Sequence, residues 1–105
     1  MRKSGPIELK DNLFRLRSLV LPLPESLEKT YVNCYVIKYI SGQVDRMCFC
    51  YLEGLTRGNR KVIWRCSREV NYWMEVLREE NTEMHPYFDE LNRLARLIRE
   101  NILSV

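Results

Sequence analysis

Histidine is nearly absent from this chain of 105 residues; there is one, His85. Glycine and proline are scarce, with four of each. A lone histidine leaves little scope for Cys–His or Ser–His nucleophilic chemistry, which needs a base beside the nucleophile and a third group to orient it. The shortage of Gly and Pro, with 46% apolar and 30% charged residues, excludes a collagen-like repeat, a low-complexity linker and a disordered tail. No apolar stretch approaches the roughly 20 residues of a membrane span, and the run Leu19 to Leu23 is broken by Pro22. A signal-peptide core is missing for the same reason. There is no G-x-S-x-G, no Gly-rich phosphate loop and no H-E-x-x-H. Glu79, Glu80 and Glu83 form an acidic run that reads as an exposed helix end. These absences argue against an enzyme and for a single domain over 1–105, with residues 1 to 6 as a loose end.

What is present is an uneven charge. The net charge is only +3, yet residues 38 to 68 carry seven basic groups against Asp45 and Glu53. Residues 69 to 105 carry four basic and eight acidic groups. A basic centre points to an acidic partner such as nucleic acid.

The four cysteines are Cys34, Cys48, Cys50 and Cys66. Without a signal peptide they read as free thiols of a reducing, intracellular compartment, most of them small apolar core groups. Cys48, Cys50, Cys66 and His85 make a Cys3His candidate set for zinc, at irregular spacing. No other cofactor is expected.

Leu9, Leu13, Leu16 and Val20 recur every three to four residues and predict a short helix, with Asp11 and Asn12 as caps and Pro22 and Pro24 as its end. Three strands are then expected from β-branched and aromatic content: Tyr31 to Ile40, Met47 to Leu55 and Lys61 to Cys66. Ser41-Gly42 begins the first turn, and Thr56 to Arg60 closes a hairpin. Ser67 is the expected N-cap of a helix to about Glu80, whose stripe is Val70, Trp73, Met74 and Leu77. A last helix should start at Pro86 and bury Phe88, Leu91, Leu94, Ala95, Ile98 and Ile102. The predicted class is therefore α+β: a three-stranded antiparallel meander preceded by a short helix and followed by two helices.

Met47-Cys48-Phe49-Cys50-Tyr51 and Gly58-Asn59-Arg60-Lys61-Val62-Ile63-Trp64-Arg65-Cys66, with Glu83-Met84-His85-Pro86, resemble a FLYWCH-type zinc finger over residues 31 to 100. The resemblance matches Cys66 to the first metal ligand and His85 to the last. The second cysteine falls near Tyr72 and the first histidine at Glu83, so two of four ligands are missing. The resemblance implies a DNA-binding or protein-docking module of nuclear proteins.

The function expected from these features is a non-enzymatic intracellular binding module. Arg57, Arg60, Lys61, Arg65 and Arg68 are the candidate phosphate contacts and Trp64 the stacking residue, since nucleic-acid binding calls for aromatic and basic groups together. The alternative is an adaptor or oligomerisation domain. It would use the second apolar sheet face and the C-terminal helix, with Trp73, Met74, Leu97 and Leu103 as contacts and a second copy of the chain as one candidate partner.

Overall fold

The computed structural model describes residues 6–105, and among the described residues every regular element is helical. Helix α1 spans Pro6–Val20, α2 Leu23–Ser26, α3 Tyr31–Glu53, α4 Arg57–Glu80 and α5 His85–Ser104. A 3-10 turn, Thr82–Met84, joins α4 to α5. The loose end expected over residues 1 to 6 lies outside the described residues, save for Pro6, which opens α1.

The α+β expectation is overturned: no antiparallel sheet forms among the described residues. The first two expected strands and the turn between them are one helix, α3, and the third is the first half of α4. The physical reason lies in spacing. Asn33, Val36, Ile37, Ile40, Val44, Met47 and Cys48 are all buried, at intervals of three and four. Strand propensity of β-branched and aromatic residues is worth at most about 1 kcal/mol per position, and burial of a continuous stripe outweighs it. Alternation would have put Met47 on one side with Phe49 and Cys48 on the other with Leu52; in the helix Met47 and Cys48 are both buried, while Phe49 and Leu52 are 61% and 69% exposed. Gly42 does not turn the chain. It occupies an exposed helical position with open space where a Cβ would stand. Its cost, about 1 kcal/mol, is too small to interrupt a helix held by its neighbours.

The turn expected over Thr56 to Arg60 does not form, since Arg57 to Arg60 are the first turn of α4; the chain reverses just before it, at Gly54-Leu55-Thr56, between helices rather than strands. Gly54 has φ 127°, outside the range ordinary side chains adopt. Its N–H bonds to the Cys50 and Tyr51 carbonyls and ends α3. Thr56 then caps α4, its hydroxyl accepting from the Asn59 N–H at 3.1 Å. Thr30 does the same for α3 through Asn33, at 3.0 Å. Ser67 is not a cap. It is buried inside α4, and its hydroxyl donates to the Trp64 carbonyl at 2.8 Å. Asp11 and Asn12 likewise lie within α1 rather than at its start.

The four long helices close into a ring: α1 on α3, α3 on α4, α4 on α5 and α5 on α1. Every adjacent pair is antiparallel, as the cross-helix bonds reveal. Asn12 meets Asn101 while Tyr87 meets the Leu19 carbonyl. Arg17 meets Asp45 while Phe14 meets Tyr51. Asn33 meets Asn81 while Tyr39 meets Glu69. Arg78 meets Asp89 while Arg99 meets Ser67. The result is an up-down-up-down bundle with short connections.

The stripes expected from periodicity form the core of this bundle. Leu9, Leu13, Leu16 and Val20 are buried, as are Val70, Met74 and Leu77 and all six expected residues of α5. No helix among the described residues is long and apolar enough to cross a membrane.

Candidate functional site

The first three turns of α4 carry Arg57, Arg60, Lys61, Trp64, Arg65 and Arg68. Those positions recur at intervals of three and four, so the helix brings them to one face. A strand would have divided them, with Trp64 opposite Lys61 and Arg65. In the bundle all six line one cleft of about 590 Å³, completed by Ile102, Leu103 and Val105 from the end of α5. Its size is within the range of small-ligand sites.

Residues 57 to 68 include no Asp or Glu. Among the described residues none of the five cleft cations lies within an ion pair; the ion pairs formed are Arg15–Glu90, Arg17–Asp45, Arg78–Asp89 and Arg93–Glu90. Two of the five cations are partly fixed. Arg60 Nη1 donates to the Leu55 carbonyl at 3.1 Å. The Arg68 guanidinium carbon sits 5.2 Å from the Trp64 ring centroid, a cation–π distance. The positive charge also stands at the unfavourable end of α4. Basic groups in a first turn oppose the helix dipole and typically cost about 0.3–1 kcal/mol each at low salt.

Sequence reasoning missed Arg99. It is half-buried on α5, and its Nη1 donates to Ser67 Oγ at 3.3 Å. Burial, then the positive charges of Arg68 and Arg96, push its guanidinium pKa below the ordinary value. The signal in the sequence was the basic spacing Arg93, Arg96, Arg99, which becomes meaningful only once α5 is laid against α4.

The candidate partner contacts do not form one surface. Met74 is fully buried in the core. Trp73 is half-buried against Tyr39 and Tyr72, with ring centroids 5.4 and 5.1 Å away. Leu97 is half-buried, and Leu103, 79% exposed, belongs to the basic cleft. The sheet face expected to support them does not exist among the described residues.

The Cys3His set is not assembled either. Among the described residues no group of three or more His, Cys, Asp or Glu side chains is arranged to hold a metal. Cys48 Sγ faces the Leu13 carbonyl at 3.9 Å, while His85 Nε2 lies 3.0 Å from the Arg78 carbonyl. All four cysteines are free, and Cys34 is exposed. Burial pushes the Cys48 thiol up to about 11 and raises Cys50 and Cys66 as well. Such thiols resist forming the thiolate that nucleophilic attack or metal binding requires.

In comparison with known proteins, no family model, no curated protein and no solved structure matches the chain.

Proposed function

We propose that the chain is a non-enzymatic binding module that contacts nucleic acid through the α4–α5 cleft. One observation carries the reading: five cations share one helix face, and among the described residues none of them has a carboxylate partner. Uncompensated like charges on a single face repel one another, and a polyanion relieves that repulsion. Trp64 and the apolar end of α5 add contact area between the charges.

The test is a titration of labelled single- and double-stranded oligonucleotides across a salt series. Three to five phosphate contacts give a log–log salt slope of about −2 to −4.5 across single and double strands. Absence of binding at low salt, or a flat slope, removes the reading.

A second reading, association with a protein or a second copy, draws on exposed apolar residues that do not line the cleft. Phe49 and Leu52 are 61% and 69% exposed near the end of α3. Sedimentation across a concentration series tests it; a monomer at every concentration removes self-association.

A further inference from the structure

We infer that the cleft takes an unpaired nucleotide, so that the chain binds single strands in preference to duplexes. The inference rests on the nucleic-acid reading above and names its substrate class. Phosphate contacts alone need only charge, and an exposed helix face of arginines suffices for a duplex backbone. This cleft has more. Between the cations lie Trp64, 37% exposed, and the apolar side chains of Ile102, Leu103 and Val105. Leu103 projects from α5 at 79% exposure, an apolar group standing among guanidinium groups.

A duplex hides its base faces by stacking, so it leaves this apolar wall without a partner. A single strand offers each base as a flat apolar surface on a charged backbone. Arg68 already lies against the Trp64 ring, and the pair forms a ready stacking platform of the kind that holds unstacked bases. Cations on both sides of Trp64 along α4, Arg57, Arg60 and Lys61 before it and Arg65 and Arg68 after it, suit phosphates on either side of a seated base. Charge complementarity therefore selects the polyanion, and the apolar wall selects the strand whose bases are open.

The experiment measures fluorescence anisotropy with a labelled mixed-sequence DNA strand of about 20 nucleotides, alone and annealed to its complement, at low salt. The free strand should bind about 5- to 150-fold tighter than the duplex, as about 1–3 kcal/mol for one stacked base implies. Trp64→Leu should remove most of that preference while leaving duplex affinity within about twofold, and Trp64→Phe should restore it. In a Trp73→Phe background the single remaining tryptophan, Trp64, should be quenched by the free strand and unaffected by the duplex. Circular dichroism confirms that each variant is folded. Equal affinity for strand and duplex, or a Trp64→Leu variant that keeps the preference, overturns the single-strand inference and leaves the basic-cleft reading standing. If neither probe binds, both are overturned.

Discussion

Asn33 and Asn81 exchange their amide hydrogen bonds inside the protein. Asn33 Nδ2 donates to Asn81 Oδ1 at 3.2 Å, and Asn81 Nδ2 donates back at 2.9 Å. Each also holds a backbone carbonyl, of Glu28 and of Leu77, so the pair ties the start of α3 to the end of α4. Asn12–Asn101 and Asn71–Asn92 make similar links from α1 to α5 and from α4 to α5. A buried amide fixes register more narrowly than an apolar contact does, because displacement leaves polar atoms without partners.

Removing one member of the first pair strands the other. Asn33→Leu or Asn81→Leu should each cost about 1–3 kcal/mol in urea unfolding. The double variant should cost less than the two singles together, with a coupling of about 1 kcal/mol or more. Strict additivity would show that the amides do not act as a unit.

Gly42 inside α3 and Gly54 at its C-cap should respond in opposite directions. Gly42→Ala fills open space in a helix and should stabilise by about 0.5–1 kcal/mol. Gly54→Ala forces a Cβ onto a φ of 127° and should destabilise by about 1–3 kcal/mol. Thermal midpoints of the two variants check both signs.

On the nucleic-acid reading proposed above, each cation of the cleft should account for about one unit of salt dependence. Arg57→Gln, Lys61→Gln and Arg65→Gln should each weaken oligonucleotide binding and reduce the salt slope by about 1. Lys10→Gln, exposed on α1, should change neither. Equal effects at all four positions would mean that overall charge, rather than the cleft, attracts the polyanion.

Alkali should loosen the bundle before it affects the surface. Burial holds Cys48 protonated to a pKa of about 11, against 9.0 for a free thiol, so the folded chain binds more protons than the unfolded one in that interval. The contribution is fully present below pH 9.0 and is lost as pH rises toward about 11. Unfolding midpoints should fall through that window, and less so in Cys48→Ala measured against its own neutral-pH value. At neutral pH a thiol reagent should modify exposed Cys34 first, with the three buried thiols reacting only on unfolding.

Much of this bundle is written in the sequence at the level of spacing. The α1 and α5 stripes and the second half of α4 are plain because their apolar residues recur without competing signals. Helix α3 is hidden by Tyr35, Phe49 and Leu52, which sit on its exposed face and fill in the gaps of its buried stripe. With apolar residues on both faces, a helix and a two-sided strand look alike over short windows. Ser41-Gly42 then supplied a turn signal that burial of Ile40 and Val44 on either side overrides. The cleft residues were legible as a basic and aromatic run. Their convergence was not, because it needs helical geometry and the end of α5, which lies more than thirty residues further along the chain.

The ring of helices also bears on how quickly the chain finds its shape. Most helix pairs are neighbours in sequence and meet across short connections, so their docking closes small loops and carries little entropic cost. Proteins with such local contacts fold on microsecond to millisecond timescales. The packing of α1 on α5, sealed by Asn12 and Asn101 across 89 positions, is the closure that spans nearly the whole chain. Assembly of the α3–α4–α5 unit should therefore precede arrival of the first helix, and the basic cleft is complete before that last step.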